Sequence, residues 1–339
     1  MENKAAFLTS PGTPLAIQHA HLAQPEVHEV LIRNHAVAIN PVDYKIQDTG
    51  ILGEDIAGEV VEVGSAVTSF RKGDRVVAFA LNIVTQNPAN GGFQLYTTSA
   101  ASMVSPIPKN IAFTDAVVLP LGLATASGAL FSTEYLGIDP PRASDPVPTG
   151  NKDKLVLIWG GASSVGSCAV QLCAAAGLTV LTTVSPKNTD YAKDIGAAEA
   201  LDYHDSAIVE KLVKAALGKE IVGAYDAISS EASLAACVDF LHSVGGGKLS
   251  LTLANTNLPD LPEGVTVVAG RPPLQSPDGG EPIWRQVYKD FLGAGLQNGK
   301  LKAKPDAFIL KGGLSRLQEG LDLVRTGVSA KKIVVELLG

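Results

Sequence analysis

The chain has 339 residues, 46% of them hydrophobic and 18% charged, with a formal net charge of −7. That length exceeds what one core usually organises and predicts two well-packed domains. The acidic balance offers no basic stripe, which argues against nucleic acid or an anionic membrane as partner, and no apolar stretch approaches the roughly 18 residues of a spanning helix. A cytoplasmic protein acting on a small molecule is expected, with no secretory signal pattern at Met1 to Pro11. Cys168, Cys173 and Cys237 lack CxxC spacing and read as core thiols.

Up to about residue 110, short β-type runs alternate with turn signals: Glu29 to Ile39 (EVLIRNHAVAI), Ala57 to Val63 (AGEVVEV) and Arg75 to Phe79 (RVVAF). Ala116 to Leu130 (AVVLPLGLATASGAL) is expected to form a helical bridge between domains, and the Pro-rich, polar Pro140 to Lys154 an exposed loop. From Lys154 the pattern becomes strand, helix, strand, helix, which implies a parallel sheet covered on both faces. Its strands are read at Lys154 to Trp159, Leu178 to Val184, Ala198 to Tyr203, Tyr225 to Ser229, Gly247 to Leu253 and Val265 to Ala269, near-continuous apolar or β-branched runs of the kind buried parallel strands need. The tail from Gly313 carries an amphipathic helix and a strand (KKIVVELL), expected to return to the first domain.

Strand KLVLIW runs straight into Gly160 to Gly166 (GGASSVG) and then a helix from about Ser167 to Ala176. Backbone amides in so tight a turn, together with the positive end of the helix dipole, suit a pyrophosphate. Gly161, Ser163, Ser164, Val165 and Gly166 approximate the dinucleotide fingerprint, with Ser163 at its usually glycine middle position; a plain turn of small residues is the competing reading. An NAD binder would end its second strand in Asp or Glu to hold the ribose hydroxyls. Here the strand ends in Ser185, Pro186, Lys187 and Asn188, a hydroxyl, an ammonium and an amide suited to a 2′-phosphate, so NADPH is expected over NADH. Lys187 as an ordinary loop lysine is the alternative. Tyr203, ending the third strand, is placed either on the adenine side of the site or at its rim.

Asn40 to Lys45 (NPVDYK), Gly53 to Gly64 (GEDIAGEVVEVG), Phe70 to Val76 (FRKGDRV), Leu119 to Ala126 (LPLGLATA) and the Rossmann stretch together resemble the medium-chain dehydrogenase/reductase superfamily. NPVDYK, the serine-bearing loop, SPKN and Gly327 to Val335 (GVSAKKIVV) look most like its fungal branch of trans-acting polyketide enoyl reductases, with quinone oxidoreductases as more distant kin. The resemblance implies an α/β protein: a GroES-like, mostly-β catalytic domain from residues 1–122 and 272–339, and a doubly wound Rossmann domain from 123–271. It also implies a cofactor site that takes in Asn40, Leu253, Ser329 and Lys331.

Zinc-dependent relatives carry a histidine in G-H-E-x-x-G and a cysteine in the segment matching NPVDYK. Glu54 and Asn40 stand there instead, the loop from Leu81 to Gly92 has no cysteine for a structural zinc, and the six histidines show no metal spacing. No metal is therefore expected. Without a Lewis acid, charge developing on substrate oxygen must be met by hydrogen bonds, which favours conjugated alkenes such as enones and enoyl thioesters over plain ketones. The resemblance points to Lys45 and Thr125 near nicotinamide and substrate carbonyl, with Tyr44 as a weaker proton donor. A surface lysine and a helix-packing threonine are the plain alternatives. The stretch Ile46 to Leu52 is shorter than in relatives of this branch and would reshape the cleft. The resulting expectation is a metal-free, NADPH-dependent enoyl, enone or alkenal reductase, monomeric or homodimeric, whose substrate is a small molecule or a carrier-protein-bound acyl chain. A quinone oxidoreductase, a catalytically impaired NADPH binder and a zinc alcohol dehydrogenase are the alternatives.

Overall fold

A computed structural model describes residues 2–45, 49–143, 148–253, 260–269 and 281–338. The chain divides into two compact units, one of Met1–Leu121 with Ala303–Gly339 and one of Gly122–Lys302.

The first unit is built from β1 (Asn3–Leu8), β2 (Ala16–Ala20), β3 (Glu29–Ala38), β4 (Gly50–Ile51), β5 (Asp55–Val63), β6 (Arg75–Phe79), β7 (Tyr96–Ala100) and β8 (Val104–Pro106). The second holds β9 (Lys154–Trp159), β10 (Thr179–Val184), β11 (Glu199–Asp202), β12 (Glu220–Asp226), β13 (Gly247–Leu251) and β14 (Val265–Ala269). The tail adds β15 (Asp306–Lys311) and β16 (Lys331–Glu336) to the first unit. Among the described residues β2-β1-β4 form a small sheet, and a larger one runs β15-β16-β3-β5-β6-β8 with β7 also on β3. β16 pairs antiparallel with β3, Val335 opposite Val37, so the tail strand joins the larger sheet of the first unit. Ile32, Val37, Ile56, Val60 and Ile333 fill its core, and the tail helix Leu317–Thr326 adds Leu317 and Leu321. This burial is what makes the tail part of the unit.

The second unit is a parallel sheet ordered β11-β10-β9-β12-β13-β14, with β9 and its neighbours buried on both faces. The order reverses between β9 and β12, and in open parallel sheets ligands bind beyond the carboxyl ends at such a switch point. Several expectations shift. The strand expected at Tyr225 to Ser229 is Glu220–Asp226, because a register break at Gly223 interrupts the pattern upstream. β13 stops at Leu251, two residues early. The helix after the glycine turn is Ser164–Ala175, three residues sooner than read.

The unit boundary moves as well: residues 281–302, expected with the catalytic domain, belong to the second unit. The reason is burial and bonding. Trp284, Tyr288, Phe291 and Leu292 are buried, and Lys302 N–H donates to Gln171 Oε1 at 2.7 Å. The expected absence of any long apolar stretch is also corrected. Phe113–Phe131, 19 residues, is long and apolar enough to cross a membrane by length and composition, yet 72% of its apolar window is buried inside the protein, as in a core helix. Of the short segment Ile46 to Leu52, residues 46–48 lie outside the described residues, as do 270–280 and 254–259.

Candidate cofactor and active site

Beyond β9 the chain turns at Gly160 and enters the helix Ser164–Ala175. Ser163 is extended and caps that helix, its hydroxyl accepting from Gly166 N–H at 3.0 Å. A Cβ on Gly161 would lie 2.1 Å from Thr182 Oγ1 and one on Gly166 2.2 Å from the Gly160 carbonyl, so only glycine lets strand, turn and helix approach this closely. The serine at the middle fingerprint position therefore has a structural task, and the helix N-terminus it caps stands at the carboxyl end of β9. Gly122 of the helix Pro120–Phe131 packs against this first turn, a Cβ there meeting Ser164 Oγ at 3.1 Å. Thr125, about one turn further along that helix, is half-buried.

The register of β10 and β11 sets Val184 beside Asp202, so Ser185 and Tyr203 emerge at neighbouring strand ends. Lys187 is exposed. Asn188 is buried and donates from Nδ2 to Ser185 Oγ at 3.1 Å, which leaves the Ser185 proton for an outside acceptor. Asn188 thus helps to shape the turn that carries Ser185 and Lys187. Tyr203 is 43% exposed with its ring 4.1 Å from that of His204. His204 in turn donates its N–H to Asp202 Oδ1 at 3.0 Å and holds the Asp202 carboxyl below its ordinary value.

In the first unit the NPVDYK segment forms the short helix Pro41–Lys45. Asp43 closes its start, Oδ2 accepting from Asn40 N–H at 2.7 Å. Burial pushes the Asp43 carboxyl up to about 7; the Asn40 N–H opposes that rise and the charge of Asp55 adds to it. Asp55, wholly buried, accepts from Leu121 N–H at 2.6 Å on Oδ1 and from Asn40 Nδ2 at 2.8 Å on Oδ2. The Lys332 ammonium, also buried, lies 3.0 Å from Asp55 Oδ2 and donates to Asn40 Oδ1. Glu54 is buried, and its Oε1 accepts from Ile83 N–H at 3.2 Å.

Of the other expected site residues, Lys45 is exposed at its helix end, and Tyr44 is half-buried against the core with the Arg325 guanidinium 5.5 Å from its ring. Ser329 is exposed. Lys331 forms an ion pair with Asp306 at 3.2 Å, whereas its neighbour Lys332, which sequence reasoning passed over, is the buried cation. Asp55 was missed in the same way, although it stands inside the quoted GEDIAG stretch next to the residue that drew attention. Leu253, just past β13, is 46% exposed.

Comparison with known proteins agrees with this architecture. Residues 26–109 match the alcohol dehydrogenase GroES-like domain family and residues 164–252 the zinc-binding dehydrogenase family. The trans-enoyl reductase himH of Aspergillus japonicus is 38% identical over 319 residues, 91% of this chain and 90% of that protein. Dehydrogenase orf1 of Aspergillus niger is 37% identical over 352 residues, 99% of both chains. In fold, the CurK enoyl reductase crystal structure superposes with a TM-score of 0.75 over 99% of this chain and 100% of that one, at 20% identity. An oxidoreductase fold of a GroES-like domain with a nicotinamide-binding Rossmann domain follows, and the chain belongs to the medium-chain dehydrogenase/reductase superfamily, in its fungal trans-enoyl reductase branch.

Proposed function

We propose that this chain is an NADPH-dependent reductase of activated carbon–carbon double bonds that works without a metal ion. The observation that carries the cofactor reading is the carboxyl end of β10, where Ser185 to Asn188 hold no carboxylate but offer the Ser185 hydroxyl and the exposed Lys187 ammonium. A 2′-phosphate is the group this pair suits, and charge-assisted contacts to it are strong. Gly161, Gly166 and the helix start at Ser164 fit the pyrophosphate, since side chains at the two glycines would occupy the space between strand, turn and helix. When bound, NADPH supplies the hydride.

The donor set speaks against zinc. Asn40 spends its amide on Asp55 and Lys332, and a metal placed beside the buried Lys332 ammonium would meet like charge. Among the described residues no three His, Cys, Asp or Glu side chains gather to hold a metal. Without that Lewis acid, substrate charge has to be met by hydrogen-bond donors, and a conjugated acceptor, which spreads the charge onto its carbonyl oxygen, asks least of them. Lys45 and Thr125 are the proposed donors, with Tyr44 the lesser candidate because its ring is already packed. The relative named a trans-enoyl reductase favours an enoyl thioester, free or carrier-bound, as substrate.

Measuring NADPH consumption against enones, enoyl thioesters and quinones tests this. Turnover of the first two groups is the expected result. Turnover of quinones alone would reassign the substrate, tight NADPH binding with no turnover would overturn the enzymatic reading, and an activity that requires stoichiometric zinc would overturn the metal-free part.

A further inference from the structure

The dipeptide Asn-Gly occurs twice in this chain, at Asn90–Gly91 and at Asn298–Gly299, and the fold treats the two in opposite ways. A glycine after asparagine leaves its backbone nitrogen unshielded by any side chain, so the surroundings of each pair decide whether that nitrogen reaches the asparagine carbonyl. Asn90 is buried, with Oδ1 accepting from the Thr85 hydroxyl and Nδ2 donating to the Thr98 carbonyl and hydroxyl, all at 2.9 Å. Gly91 N–H donates to the Pro88 carbonyl at 3.2 Å, and a Cβ on Gly91 would lie 2.3 Å from the Ile51 carbonyl oxygen. Side chain and backbone of this pair are thus both held in a packed interior.

Asn298 ends the helix Gly293–Asn298 on the surface of the second unit, and Gly299 follows at a φ of 77° with open space where a Cβ would stand. Asn298 Oδ1 accepts from Lys300 N–H at 3.0 Å, a bond that folds the side chain across the Asn298–Gly299 peptide. The same N–H steadies the negative charge that gathers on Oδ1 when the side-chain carbonyl is attacked. Nδ2 donates to the Ala143 carbonyl at 3.1 Å, and Lys300 Nζ donates to that carbonyl at 3.1 Å and to the Arg142 carbonyl at 3.4 Å, so this turn anchors the 142–143 segment. We propose that Asn298 is a site of spontaneous deamidation whose conversion loosens that anchor. The Gly299 nitrogen gives up its proton and bonds to Asn298 Cγ, the Cγ–Nδ2 bond breaks, and the amide nitrogen leaves as ammonia with that proton. Water then opens the resulting succinimide at either carbonyl, returning a hydrogen to the ring nitrogen and leaving aspartate or isoaspartate. The product carboxylate has no hydrogen to donate to the Ala143 carbonyl and sets a negative charge beside it.

In the test, the purified full-length chain is held in mildly alkaline buffer for weeks and sampled by peptide mass mapping, with thermal unfolding alongside to confirm that it stays folded. The peptide carrying residue 298 is expected to take on the mass of an acid in place of an amide, as a mixture of aspartate and isoaspartate. Residue 90 should convert at least about tenfold more slowly, because its bonds have to open first. Asn298→Gln, whose longer side chain closes its ring far less readily, should keep its amide. Asn298→Asp, which reproduces one product, should unfold near the wild-type temperature yet be cut by trypsin after Arg142 about fivefold faster, as expected for one lost hydrogen bond. Conversion at residue 90 as fast as at residue 298, or none at residue 298, would overturn the assignment. A cleavage rate in Asn298→Asp equal to that of the wild type would overturn the loosened anchor.

Discussion

The glycine turn after β9 draws its partners from one strand, one turn and one helix, whereas the carboxylate of Asp55 is held by residues 40, 121 and 332. The turn is partly exposed at Ser163 and Ser164. The Asp55 knot is sealed in the core of its unit, with its charges spent on one another. A surface device of this kind tolerates loss of one contact and answers in ligand affinity. A buried ion pair gives little net stability when intact but is expensive to break, because the surviving charge has no water to turn to.

The sharpest way to break that contrast is Lys332→Met, which strands the Asp55 carboxylate. A loss of about 3–5 kcal/mol is expected by chemical denaturation, with Lys332→Met combined with Asp55→Leu losing less than the two single changes added together. Strictly additive losses would show that the pair is not coupled. Next in size is a pH effect from Asp43. Its carboxyl titrates at about 7 in the folded chain and near the ordinary 3.8 when unfolded, so the folded state holds the proton more tightly. Stability from this group is complete below the lower value and drains away as pH rises through the upper one, a fall of roughly 2–4 kcal/mol. Unfolding temperatures measured from pH 4 to 8 should decline for the wild type and flatten in Asp43→Asn; an unchanged slope in the variant would remove Asp43 as the cause.

On the exposed side, Lys187→Ala is expected to weaken NADPH about tenfold while leaving NADH and the unfolding temperature alone. Equal losses for the two cofactors, read by fluorescence titration, would sink the 2′-phosphate assignment. The smallest effect belongs to Ser163→Ala, which removes the cap from the Ser164–Ala175 helix and should cost about 1 kcal/mol. A change indistinguishable from zero in the denaturation midpoint would mean that Gly166 N–H finds another acceptor.

The two regions also differ in how far they could be read beforehand. Arg75 to Phe79, Lys154 to Trp159 and Val265 to Ala269 coincide with the observed strands, because a run of apolar or β-branched residues bounded by turn residues is a local signal. The phosphate loop and the position of Ser185 and Lys187 follow from the same locality. β12 was read too late in the chain because its polar start and the break at Gly223 hide the strand, and what was taken as its end is the turn at Ser229. Two lysines adjoin in KKIVV, and nothing in that stretch says that Lys331 meets Asp306 at the surface while Lys332 enters the core.

Composition, periodicity and turn chemistry determined the two-unit architecture, the parallel sheet, the glycine turn and the group of side chains at the end of β10, since each depends on neighbours within a few residues. Only the tertiary structure decided which polar groups meet: Asn40, Asp55 and Lys332 in one core, and the Ser229 hydroxyl with the Leu253 N–H at the carboxyl end of the other sheet. It also decided that residues 281–302 pack with the second unit. Pairings across such distances along the chain are fixed by how strands order and stack, and a buried charge shows its partner only once the fold has brought the two together.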